Sequence, residues 1–189
     1  MKELVTGCRT YRKFLQEPIP RETLVEMIEN VRIVNSARNA QPLHYTVATK
    51  REDIEAIMPL TMWAGAIPNG LGRPKEDEYP VAFIFISKIA DGNSWSDVDL
   101  GIAADTLCKD AWLRGYGSAM LGAINGPKIA EYVGLKEGYE LKLAIALGKP
   151  AIKSTVVDVK EDGSLTYYVD EDFNYYVPKR PFEEIVDFI

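Results

Sequence analysis

The sequence predicts an α+β domain, and three observations predict it. Helical periodicity runs over Leu24–Val34 and again over Asp97–Arg114, where apolar residues recur at spacings of three and four. Continuous apolar runs at Val81–Ser87 and Leu141–Gly148 read as buried strands. The chain has 189 residues, which is one ordinary domain with enough chain to bury a core unaided.

Composition narrows the function classes. An apolar content of 47% with 26% charged residues is that of a soluble globular protein. The net charge of -6 argues against a general nucleic-acid surface, since phosphate backbones call for an excess of Lys and Arg. Two cysteines, Cys8 and Cys108, and one histidine, His44, are too few for a disulfide framework, a zinc site or a His-dependent triad. Residues 1–20 contain no apolar signal core and no run reaches membrane-spanning length, so no membrane partner and a cytoplasmic location are expected.

Taken in order, Leu4 and Val5 precede Cys8-Arg9-Thr10-Tyr11-Arg12-Lys13-Phe14. This reads as a short helix that delivers Arg9 and Arg12, three apart and so on one side of a helical turn, to an anion. From Pro20 an amphipathic helix buries Leu24, Met27, Ile28 and Val31, with Arg21 and Glu22 in its first turn. It ends in the polar loop Ser36-Ala-Arg-Asn-Ala-Gln-Pro42, whose backbone N–H groups and amides (Asn39, Gln41) can face a ligand. A strand at His44–Thr49 and a short helix at Arg51–Met58 follow. His44 is expected to be a packed residue rather than a catalyst. The Gly- and Pro-rich segment 61–79 forbids a long regular element. It reads either as a lid over substrate or as a surface loop anchored by Trp63.

In the helix Asp97–Arg114, the small residues Gly101, Ala103 and Ala104 allow close approach by another helix, in the centre of the fold or at a subunit interface. Asp99, Asp105 and Asp110 are expected to face solvent rather than to form a metal cluster, and no metal is expected elsewhere. Gly115-Tyr-Gly-Ser-Ala-Met-Leu-Gly122 opens a strand but has neither the third glycine of a dinucleotide fingerprint nor the pattern of a nucleophile elbow. Pro127 begins a short helix. Past Pro150, Thr155–Val159 and Leu165–Val169 flank Lys160-Glu-Asp-Gly-Ser164 and predict a hairpin over 155–169. Pro178-Lys179-Arg180-Pro181 precedes a final helix, Phe182–Ile189.

Four of these segments, in this order, resemble the nitroreductase family of FMN-dependent flavoproteins. Cys8–Phe14 is similar to its Arg-Arg-Ser-x-Arg-x-Phe signature, with Cys8 at the first Arg position. Ser36, Asn39 and Gln41 match its Pro-Ser-x-x-Asn-x-Gln-Pro-Trp loop, from which Asn35 and Leu43 depart. Gly115–Gly122 and the basic pair Lys179-Arg180 match the other two. The resemblance implies a single three-layer domain over 1–189, with a central mixed sheet flanked by helices, in an intertwined homodimer carrying FMN at the subunit interface. The hairpin at 155–169 is an addition to the minimal pattern.

The resemblance also implies site roles. Arg9, Thr10 and Tyr11, with Lys179 and Arg180, would hold the FMN phosphate and its surroundings. Arg12 would meet the N1/O2 edge of the ring. Ser36, Ala37, Asn39 and Gln41 would reach a flavin bound mainly by the other subunit, and Leu121, Gly122 and Ala123 would pass behind the ring. The implied activity moves electrons from NADH or NADPH through flavin to a nitroaromatic, a quinone or a similar small electron-poor acceptor, with no catalytic side chain beyond the tuning by Arg12. Two alternatives stand beside it: a specialised member such as a reductive dehalogenase or dehydrogenase, and a flavin-binding protein without turnover.

Overall fold

A computed structural model describes residues 1–189. Its first elements are α1 (Lys2–Gly7), β1 (Phe14–Leu15), α2 (Arg21–Arg32), β2 (Leu43–Ala48) and α3 (Arg51–Ile57). Next come β3 (Ala82–Ile89), α4 (Trp95–Leu113), β4 (Gly117–Leu121), α5 (Gly126–Tyr132) and β5 (Tyr139–Pro150). Three short strands close the chain: β6 (Ser154–Asp158), β7 (Tyr168–Val169) and β8 (Tyr175–Lys179).

β5 organises the main sheet, in the order β1-β5-β3-β2 with β4 also paired to β5. Its ladders are antiparallel, and a parallel bridge from Thr10 to Ser118 lays the basic N-terminal segment along β4. Alternation along the strands sends side chains to both faces. Phe83, Phe85, Ala119, Leu121, Ala144 and Ala146 meet Ile54 and Ile57 of α3, Ile129 of α5 and Trp63. Ile84, Ile86, Ile145 and Leu147 meet Leu24, Met27 and Val31 of α2 and Ala103, Ala104, Leu107 and Ala111 of α4. Helices therefore cover both faces, giving the three-layer α+β architecture expected. The central stretches of both strands, Ala82–Ile86 and Ala144–Leu147, are apolar because neither face meets water there.

Local chemistry sets the element ends. Pro20 caps α2. α5 opens with Asn125, whose side-chain oxygen accepts from Lys128 N at 3.3 Å, and carries Pro127 in its first turn. Gly134 follows that helix at φ 64, the left-handed position that glycine occupies without steric cost.

Three expectations are corrected. Thr155–Val159 and Leu165–Val169 do not pair with each other, because β8 lies between them in the order β6-β8-β7, parallel to β6 and antiparallel to β7. The actual reversal is at Asp170–Asn174, where the Asp170 carboxylate accepts from Asp172 N at 3.0 Å and Asn174 N at 2.9 Å. Tyr168 stacks on Tyr176 across that hairpin, with ring centroids 5.2 Å apart. The final helix shrinks to a single 3-10 turn at Phe182–Glu184, since within one chain its apolar side chains have nothing to cover them and Phe188 stays 86% exposed. Asp99 is buried rather than solvated.

Candidate functional site

The N-terminal segment fixes one half of the candidate site. α1 stops at Gly7, so Arg9–Arg12 runs extended rather than helical, and Arg9 and Arg12 do not share one side as expected. Neighbouring side chains instead alternate. Tyr11 turns into the core, where it stacks on Trp112 at 5.4 Å and donates its hydroxyl to Gly7 O at 2.9 Å. It anchors the segment, and its side chain is not a ligand group. Thr10 lies against Ser118 of β4, and Tyr11 N donates to Ser118 O at 2.9 Å.

Between this segment, β4, α4 and β8 lies a cavity of about 260 Å³, lined by Arg9, Thr10, Cys108, Ser118, Met120 and Lys179 among others. Arg9 donates Nε to Cys8 O and Nη2 to Val5 O, which holds the guanidinium still while leaving other N–H groups free. Neither Arg9 nor Lys179 has a carboxylate partner, although ion pairs are numerous elsewhere. The one acid in the wall, Asp105, is paired to Lys109. Two unpaired cations and a hydroxyl around one hollow suit a phosphate.

Cys8 and Cys108 also line this hollow. Burial pushes the Cys108 thiol up to about 12, and burial, opposed by Arg9, raises that of Cys8, so neither is a ready thiolate.

Lys179 and Arg180 are split by strand alternation. Tyr175, Val177 and Lys179 share one face of β8, towards the N-terminal segment, whereas Arg180 turns to the tail. Arg180 donates Nε to Glu184 Oε2 at 3.2 Å and Nη2 to Glu184 O at 2.9 Å. It is not brought to the cavity, contrary to expectation. Arg12, also placed elsewhere, sits with its guanidinium carbon 4.6 Å from the Tyr167 ring centre and 4.7 Å from that of Tyr175.

The second half of the site is the loop at Ser36–Gln41. Asp99 of α4, 3% exposed, accepts Ser36 Oγ at 2.8 Å and Ala37 N at 2.9 Å. Ser36 Oγ in turn accepts Gln41 N at 2.9 Å, and Gln41 Nε2 donates to Asn39 Oδ1 at 3.1 Å. Arg38, Asn39 and Gln41 all take positive φ, 54, 55 and 48. Such conformations cost about 1–3 kcal/mol each and persist only where the surroundings hold them. The carboxylate of Asp99 is what holds them here. Asn39 and Gln41 remain exposed and do not line the Arg9 cavity of their own chain.

Leu121 points into the core, while Gly122 and Ala123 leave the strand exposed. A Cβ at Gly122 would meet only Leu143 Cδ2 at 3.7 Å, so the chain's own packing does not demand this glycine. The backbone is open there to a flat group, so the residues present would suit the phosphate of FMN at the hollow and the face of its ring at this backbone. His44 is a packing residue, its ring 5.1 Å from Tyr139 and its Nδ1 buried without a partner. Trp63, 5% exposed with Nε1 donating to Thr61 Oγ1 at 2.8 Å, anchors the 61–79 segment.

Sequence reasoning missed Asp99, Tyr167 and Tyr175. The signal for Asp99 was available, since it lies four residues before Ala103 on the stripe Ala103–Leu107–Ala111 that faces the core. A carboxylate on such a stripe needs a partner.

Comparison with known proteins decides the family. The sequence matches the model of the Nitroreductase family over residues 5–149. The chain belongs to the nitroreductase family. Among solved structures similar to this nitroreductase-family chain is a nitroreductase family protein from Clostridium novyi NT, 18% identical, covering 97% of each chain with a TM-score of 0.67. An FMN-dependent nitroreductase from Clostridium difficile R20291 is 22% identical over 79% of this chain and 89% of its own, with a TM-score of 0.65. The NADPH:FMN oxidoreductase from Vibrio harveyi, complexed with NAD+, is 20% identical over 85% of this chain and 74% of its own, with a TM-score of 0.67. At these identities the likeness is one of fold. No curated protein matches the chain, and no helix of the structure is long and apolar enough to cross a membrane.

Proposed function

We propose that this chain is an FMN-dependent oxidoreductase that takes electrons from NADH or NADPH and passes them to a nitroaromatic, a quinone or a similar electron-poor acceptor. The observation that carries the reading is the hollow holding Arg9, Thr10 and Lys179, two cations without counter-ions in a chain of net charge -6. FMN when bound supplies hydride acceptance and electron transfer, which explains why the site needs no nucleophile or general base. The chain's own residues bind and orient: Arg9, Thr10 and Lys179 at the phosphate, the open backbone at Gly122 and Ala123 at the ring, and Arg12 as a fixed positive charge. Membership of the nitroreductase family and the printed names of the Clostridium difficile and Vibrio harveyi structures support the choice of cofactor and donor.

A homodimer completes the proposal. The loop Ser36–Gln41 presents Asn39 and Gln41 outward, away from the hollow of its own chain, as a group serving a second copy would be placed. α4 leaves Trp95, Val98 and Ile102 exposed on the side away from its core stripe, a surface that a second copy would cover. The test is direct. Purified protein is expected to be yellow, to bleach anaerobically with NADH or NADPH, and to regain colour on adding a nitroaromatic or quinone. Colourless protein that fails to take up added FMN overturns the reading. Yellow protein that neither nucleotide bleaches leaves a flavin-binding protein without turnover.

A further inference from the structure

The family match ends at residue 149, whereas Arg12, the residue assigned above to the ring edge, is held by side chains that lie beyond it. β8 runs beside the basic N-terminal segment: Val177 and Lys179 line the hollow with Arg9 and Thr10, and Tyr175, next on the same face, meets Arg12. Two residues of strand separate Tyr175 from Val177, about 7 Å. Arg12 therefore lies beside the phosphate hollow, offset from it along β8.

The two tyrosine rings have centroids 5.9 Å apart, each under 5 Å from the Arg12 guanidinium carbon, so both lie to one side of it. Arg12 has no carboxylate partner. Aromatic rings hold a guanidinium by its charge and flat face without consuming its in-plane N–H donors. Tyr175 is 1% exposed and fixed by Ala64, Ile67 and Val169, while the Tyr167 hydroxyl accepts Ala66 N at 3.3 Å. The clamp is thus braced by the 61–79 segment, which Trp63 ties to the core.

Resting on the FMN reading given above, we infer that Tyr167 and Tyr175 are positioning residues: they preset the Arg12 guanidinium towards the flavin ring edge and couple it to the 61–79 segment. A positive charge held at that edge stabilises the anionic reduced ring, so loosening the clamp lowers the flavin midpoint potential and weakens FMN binding without removing any direct ligand.

The test compares FMN dissociation constants and midpoint potentials of the intact protein with those of Tyr167→Leu and Tyr167→Phe. Tyr167 is chosen because it is half-buried, so its loss is tolerated better than that of Tyr175. Loss of one cation–π contact is expected to raise the dissociation constant about fivefold. Tyr167→Leu should show that rise with a more negative potential, and Tyr167→Phe, which keeps the ring but loses the hydroxyl that accepts Ala66 N, should fall between it and the wild type. If Tyr167→Leu fails to fold, Tyr167→Met takes its place, an unbranched chain that fills the gap without a π-face. Unchanged affinity and potential in the ring-less variant overturn the positioning role and leave the FMN reading standing. A wild type that binds no FMN overturns both.

Discussion

Lys179 and Arg180 are neighbours in sequence and opposite in space, and that difference makes a prediction at the level of single side chains. Hydrogen bonds to charged groups contribute about 1.5–3 kcal/mol, so losing one at the phosphate costs about 10- to 100-fold in affinity. Arg9→Ala and Lys179→Ala are each expected to weaken FMN binding by that order in a fluorescence titration, and Arg180→Ala is expected to leave it unchanged. A second prediction concerns protons. Burial raises the Cys108 thiol from 9.0, and the Tyr45 phenol from 10.0, each to about 12 in the folded chain. Above pH 9 the unfolded chain sheds protons that the folded chain keeps, so the stability these groups contribute is fully present below pH 9 and is lost as pH rises to 12. Denaturant melts between pH 8 and 11 should show this decline, and Cys108→Ala should flatten its slope. Chemistry was legible at this scale wherever residue type settled it, as for the basic cluster. Direction was not, since a one-residue step along an extended chain reverses the face, and the helical reading of Arg9–Arg12 put both on one side.

Elements were read well where a strong period fixed them. α2, α3, α4, α5 and the apolar runs within β3 and β5 lie close to where the sequence placed them, because burial of Leu24, Met27 and Val31, or of Ala82 to Ile86, leaves a clear pattern. The 155–169 hairpin failed for a specific reason: local turn chemistry at Lys160–Ser164 was real, with Gly163 N donating to Lys160 O at 2.9 Å, but pairing went to Tyr175–Lys179. A strand containing Pro178 carries a weak local signal, and stacked tyrosines outweighed it. The loop at Ser36–Gln41 was legible as an exposed polar loop, while its support by Asp99 was hidden in the neighbouring helix. Asp99→Ala removes both acceptors for Ser36 and Ala37 and should lower stability by about 1.5–3 kcal/mol in urea unfolding. In addition, it should blunt FMN affinity, because the three positive-φ residues lose their restraint.

For the whole molecule, the proposed dimer makes the sharpest prediction. Ile102→Glu places a charge on the outward apolar side of α4, 37% exposed in the single chain, where it costs little unless a second copy covers it. Light scattering coupled to gel filtration should then give a monomer that has lost its flavin, against a yellow dimer for the wild type. Within one copy, the exposed Phe182, Ile185 and Phe188 and the unpaired outer edge of β2 are further surfaces that the chain leaves uncovered. The sequence by itself determined the layers, the core and the inventory of cations, amides and glycines, because apolar periodicity and residue chemistry are written locally. Only the tertiary structure decided that Arg9 and Lys179 share a hollow, that Arg180 turns away and that Arg12 rests against two tyrosines. Those placements depend on strand pairing between residues more than a hundred positions apart, and no local pattern encodes which strand lies beside which.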